Sequence, residues 1–238
     1  MSSAVAQPKC RLVGRVLVAL GVAAVAGAAV LVVLRLFFFV PFRVPAGAML
    51  PTIAPGAHVW ASPKAKVVRG AVVVFRYPEH PSQLFAKRIV GLEGDSIEVK
   101  AGQLYVNAWQ APRCWVGPWG YKDESDGAEH AGDLVLEHLD GASYLVFEER
   151  GAMLSDAQGP FTVHDGQYFV LGDNRNNSHD SRFWFGGVGG GVPLANTVGR
   201  VRLDEEPRLP RGAESLQAAL DACMAKKPAQ TSPPAPKR

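Results

Sequence analysis

AVVVFRYPEHPSQLFAKRIVGLEGDSIEVKAGQLYV, residues 71–106, decides the fold class. Ala71–Tyr77 is β-branched and aromatic, which suits a pleated, buried strand. Phe85–Gly91 (FAKRIVG) repeats the pattern with one lysine, Lys87, in its middle. Ser96–Lys100 alternates, with Ile97 and Val99 on one face and Glu98 and Lys100 on the other. Ala101-Gly102-Gln103 then turns the chain into Leu104-Tyr105-Val106, the signature of a hairpin. Short strands joined by frequent turns predict a β-rich sandwich or barrel.

Working toward the C-terminus, Tyr144–Phe147, Phe161–Val163, Gln167–Leu171 and Gly199–Leu203 complete the predicted strand set. Residues 108–142 are rich in Trp, Gly and acidic side chains with weak periodicity, and read as a variable insertion or small second lobe. Glu214–Lys226 reads as a short helix. The proline-rich end after it reads as disordered. Phe185–Gly191 (FGGVGGG) reads as a flexible loop, and not a phosphate loop, because no Gly-Lys-Ser/Thr follows.

Toward the N-terminus, Val16–Leu34 is an uncharged run of Val, Ala, Leu and Gly. Its length matches the roughly 20 residues a helix needs to cross a bilayer core. A cleaved leader has a shorter apolar core, roughly 7–15 residues. Lys9, Arg11 and Arg15 precede the run, and basic residues stay on the cytoplasmic side. The expected layout is 1–15 cytoplasmic, 16–40 a transmembrane anchor, 41–107 and 143–204 a β domain outside the cytoplasm, 108–142 the insertion, and 205–238 the C-terminal helix and tail.

The bulk numbers exclude more than they select. A formal charge of +3 across 238 residues, with charged residues spread out, gives no basic block for nucleic acid. Six histidines without ligand spacing predict no metal site, and nothing predicts a cofactor. Cys10 precedes the apolar run, whereas Cys114 and Cys223 follow it. The later two could pair, or equally stay free.

Three stretches could carry chemistry: Val44–Thr52 (VPAGAMLPT), Lys87–Asp95 (KRIVGLEGD) and Gly172–Arg182 (GDNRNNSHDSR). In this order, together with Arg69–Phe75 and Tyr168–Leu171, they resemble the type I signal peptidases, membrane-anchored Ser/Lys proteases that remove leader peptides from exported proteins. The resemblance runs from about residue 41 to 203.

The resemblance implies a signal-peptidase-type β domain behind a membrane anchor, with signal peptides or pre-proteins and membrane lipid as partners. It assigns the nucleophile to position 48 and a hydroxyl of the oxyanion hole to position 46. It assigns the general base to Lys87, and supporting roles to Ser178, Asp180 and Arg182. Asp173 and Arg175 match the structural core of the third motif. Here Ala48 and Ala46 stand where relatives carry serines. Gly56-Ala57 and Arg69-Gly70-Ala71 likewise stand where relatives tend to carry Gly-Asp and Arg-Gly-Asp.

The residue chemistry agrees with that logic. A serine hydroxyl attacks only when a base takes its proton. Lysine can be that base once burial lowers its pKa. A methyl cannot attack a carbonyl. Thr52, beyond Pro51, is not expected to reach the Lys87 amine. The resemblance, together with the missing hydroxyls, implies a pseudo-protease that binds leader peptides at the cell (inner) membrane. The alternatives are a peptidase with an unrecognised nucleophile, or a structural subunit of an export or envelope assembly.

Overall fold

The computed structural model describes residues 9–38, 40–123, 126–151, 157–203 and 206–236. The chain divides into two compact units, Met1–Val40 and Pro41–Arg238.

The first unit is the helix α1, Lys9–Phe38. Its composition of Ala, Val and Leu without proline allows unbroken helix. Side chains 14–30 are exposed all round it. Among the described residues no helix is long and apolar enough to cross a membrane, so the anchor expected over 16–40 is not confirmed. The anchor returns below as a proposal.

The second unit is built from strands. In chain order they are β1 (Val40–Arg43), β2 (His58–Ser62), β3 (Val72–Arg76), β4 (Leu84–Leu92), β5 (Ser96–Lys100), β6 (Gln103–Val106) and β7 (Trp109–Gln110). There follow β8 (Arg113–Lys122), β9 (Glu129–Leu139), β10 (Ala142–Glu149), β11 (Gln158–Thr162), β12 (Gln167–Leu171), β13 (Val192–Pro193) and β14 (Thr197–Val201). A short helix, α2 (Gln217–Ala225), comes after them. One sheet has the order β1-β2-β14-β3-β4-β12-β13, a second β10-β9-β8, and a third β11-β5-β6-β7. The predicted hairpin is β5–β6, whose two turn residues, Ala101 and Gly102, both have positive φ (46° and 78°). That is the backbone a two-residue hairpin turn demands.

Alternation divides the side chains between clusters. On β4 and β12, Val90, Phe169 and Leu171 join Ile97, Val99, Leu104, Val106 and Tyr144. Ile89, Tyr168 and Val170 point the other way, to Val73, Phe75 and Trp184. Because both faces of β12 are covered, its sequence is a continuous apolar run.

Residues 108–142, expected as a variable insertion or small second lobe, supply β7, β8 and β9 and lie within this same unit. Val135 and Leu139 on β9 face the first cluster. Leu134 and Leu136 face a third, with Val116, Phe147, Leu220 and Cys223. A disulfide between Cys114 and Cys223, with Cα atoms 5.8 Å apart, ties β8 to α2.

Two loops differ from the sequence reading. Beyond α2, the proline-rich segment lies against the domain rather than free of it. Asp140 N–H donates to Thr231 O at 2.7 Å, and Asn107 Nδ2 to Pro234 O at 2.8 Å. The glycine-rich 185–191 segment is a hydrogen-bonded turn. Gly189 N–H donates to Trp184 O at 2.9 Å, and Gly190 N–H to Ser181 O at 2.8 Å. Its glycines supply positive φ, at 70° to 90° for Gly186, Gly187 and Gly189.

Candidate active site

The site forms where β4, the loop after β12 and the 3-10 turn Gly47–Met49 meet. The turn packs against β4. Lys87 is 4% exposed, and its Nζ donates to Ser178 Oγ at 2.8 Å. Burial lowers this amine to about 8; Asp180 opposes the shift and Arg182 adds to it. Near neutral pH it is therefore mostly protonated but within reach of a neutral state.

Gly172 lets the pieces converge. A Cβ there would lie 2.2 Å from Ser178 Oγ and 2.5 Å from Ala48 O, so residue 48 and the hydrogen-bond partner of Lys87 flank one point. No residue but glycine fits so close an approach. The turn is pinned there by Asn174, whose N–H donates to Ala48 O and whose Nδ2 donates to Gly47 O, each at 3.2 Å. Ala48 is half-buried and Ala46 exposed. Ala46 enters the turn in extended conformation (φ −134°, ψ 163°).

Around this centre the charges are buried and paired. Arg88 grips Asp173 with two bonds, Nε to Oδ1 at 2.7 Å and an Nη to Oδ2 at 2.6 Å, and lies 3.8 Å over the Tyr144 ring. Thr52 Oγ1 donates to Asp173 Oδ2 at 2.5 Å, so this hydroxyl is committed away from Lys87. Arg175 holds Glu137 at 2.6 Å, and Tyr144 donates its hydroxyl to the same carboxylate at 2.7 Å. Asp180 takes Arg182 at 2.8 and 2.9 Å and the Gly172 N–H at 2.9 Å. Burial alone would raise the Asp180 carboxyl. Arg182, helped by Lys87 and the Gly172 amide, outweighs that and holds it below the usual range. Glu137 is likewise low, Arg175 prevailing over burial.

The structure thus brings Ala48, Lys87, Ser178, Asp180, Arg182 and Asp173 into one neighbourhood. Sequence reading assigned no role to Glu137, Tyr144 or Tyr121, whose hydroxyl receives the side-chain amides of Asn174 and Asn177. One signal for Glu137 was present: a lone carboxylate inside the apolar run Leu134–Leu139. Among the described residues no group of three or more His, Cys, Asp or Glu is arranged to hold a metal ion.

The family model "Signal peptidase, peptidase S26" matches residues 15–204. The chain belongs to that family. Signal peptidase I of Pseudomonas aeruginosa is 34% identical over 194 residues, covering 72% of this chain and 66% of that protein. Signal peptidase I S of Bacillus subtilis is 31% identical over 153 residues, covering 63% and 69%. The chain thus spans 66% of the length of the Pseudomonas aeruginosa signal peptidase. A crystal structure of a signal peptidase I from Enterococcus faecalis V583 matches at 27% identity. It covers 58% of this chain and 98% of that one, with a TM-score of 0.33.

Proposed function

We propose that this signal peptidase family member binds leader peptides of exported proteins without cleaving them. The carrying observation is the methyl of Ala48 beside an otherwise assembled centre, in which Lys87 and Ser178 remain hydrogen-bonded at 2.8 Å. Cleavage in the manner of a Ser/Lys peptidase needs a hydroxyl oxygen at residue 48 to form the acyl intermediate. Loss of a nucleophilic serine costs about a million-fold in turnover. Ala46 likewise removes a side-chain donor for the developing oxyanion. Recognition does not require either oxygen. An extended peptide can still pair through its backbone while small side chains fill shallow pockets.

The setting we propose is the extracytoplasmic face of the cell membrane. Two observations support it. Side chains 14–30 of α1 are exposed all round and include the apolar Val16, Leu17, Val18, Leu20 and Val22, a surface that suits lipid better than water. The Cys114–Cys223 disulfide suits an oxidising compartment.

The test incubates the purified full chain with a leader-bearing pre-protein. Binding without cleavage is expected; cleavage that disappears in Lys87→Ala would refute the reading. One observation favours a second reading, a working peptidase with a different nucleophile: Ser178 is the hydroxyl hydrogen-bonded to the Lys87 amine. An acylating inhibitor would then label Ser178. Intact-mass analysis showing no adduct removes this option.

A further inference from the structure

Tyr121 lies near the end of β8, in the stretch that read as a variable insertion. Its ring is fixed by three others. It stacks on His130 at 4.8 Å and Trp119 at 5.6 Å, and meets Phe147 edge-on at 5.5 Å. A two-torsion side chain held this way makes its hydroxyl a fixed point. Two amides of the site loop donate to that hydroxyl, Asn174 Nδ2 at 2.8 Å and Asn177 Nδ2 at 3.3 Å.

Each amide leads to one half of the centre. Asn174 carries the Gly47–Met49 turn through its bonds to Gly47 O and Ala48 O. Asn177 immediately precedes Ser178, the acceptor for Lys87. Asn174 is fully buried and its Oδ1 has no hydrogen-bond partner. Its orientation is therefore set by the two acceptors of Nδ2, Gly47 O and the Tyr121 hydroxyl. With the hydroxyl gone, one acceptor remains to resist rotation of a buried amide.

We infer that Tyr121 is a positioning residue: its hydroxyl holds the turn bearing residue 48 and the loop bearing Ser178 in register with each other. This deepens the proposed reading of the site and rests on it only for the peptide-binding part of the test.

The experiment is Tyr121→Phe in the full chain, which keeps the ring packing and removes one oxygen. The first readout is the titration midpoint of Lys87, from the pH dependence of its acetylation by acetic anhydride followed by peptide mapping. It should rise by about one unit toward the ordinary lysine value, because a loosened loop admits water to the amine. Leader-peptide affinity should fall roughly tenfold, while the melting temperature stays within a few degrees. Asn174→Ala should shift the midpoint in the same direction, and the double variant should shift it by less than the sum of the two, because the Asn174–Tyr121 bond is common to both. Asn177→Ala, at an exposed side chain, should give a smaller shift in the same direction. An unchanged Lys87 midpoint in Tyr121→Phe overturns the inference, even if the variant melts lower. If the unaltered chain binds no leader peptide, the proposed function fails, and the Lys87 midpoint still decides the role of Tyr121.

Discussion

The turn at 46–48 and the loop at 172–182 meet at one point, yet they hold their residues for different reasons. The turn offers two methyls, and its carbonyls do the structural work of bonding Asn174. The loop carries Asp173, Arg175, Asp180 and Arg182, all buried and each in an ion pair with Arg88, Glu137 or each other. A serine hydroxyl at 48 would matter to chemistry, and a methyl in that place leaves no buried charge behind. A buried ion that loses its partner is expensive whether or not the site turns over. Persistence of the paired residues is therefore weak support for activity. Lys87 is different: its hydrogen bond goes to a hydroxyl, and burial disfavours its charge. Stability alone does not explain why it is there.

The largest effect that tests this contrast is at Arg175. Arg175→Ala strands Glu137, which is 0% exposed, and should destabilise the domain by about 3–5 kcal/mol in chemical denaturation. A loss under about 1 kcal/mol would mean the loop is not held by its pairs, and the comparison would collapse.

Next is the pH dependence of Lys87. Its folded pKa of about 8 lies below the ordinary value of 10.5, so between these pH values the unfolded chain binds more protons. Stability from this group should therefore rise as pH climbs through that window, by about 3 kcal/mol in total, and be fully penalised below pH 8. Lys87→Met should remove the rise and leave the protein more stable near neutral pH. Denaturation midpoints from pH 7 to 10.5, compared between the two proteins, check the sign. A Lys87→Met variant less stable than its parent at pH 7 would show that the amine is a structural member like the arginines.

The sequence made half of this contrast readable. The strands with clean alternation or a continuous apolar run, β3 to β6 and β12, could be read from residues 71–106 and 167–171. Lys87 and the third motif were placed by resemblance and by the apolar neighbours of the lysine. The contacts that Tyr121 makes with the site loop were not readable. β8 contains Gly117, Pro118 and Gly120, with its register broken between Trp115 and Gly117, so period-two alternation is lost in the strand that carries Tyr121. Glu137 stands out as a lone carboxylate in an apolar run, but its partner Arg175 lies 38 positions away in sequence and nothing local names it. Long-range pairing of this kind leaves no local pattern. The ordered end after α2 escaped for the same reason, since its bonds are to turns at 107 and 140–141.

The smallest expected effect on stability is the most informative for chemistry. Ala46→Ser with Ala48→Ser adds two oxygens at an exposed and a half-buried position, away from any paired charge. Such substitutions usually move stability by no more than about 0.5 kcal/mol. The same two oxygens would give Lys87 a hydroxyl to deprotonate, and some cleavage of a leader-bearing pre-protein should follow, abolished again by Lys87→Ala. If stability holds and cleavage returns, the turn and the loop are separable, and the chain lost its chemistry at the turn while the loop was kept by packing. If stability holds and no cleavage returns, the change reaches past the two methyls into how the peptide is seated, and the assembled Lys87–Ser178 pair is a relic of the fold.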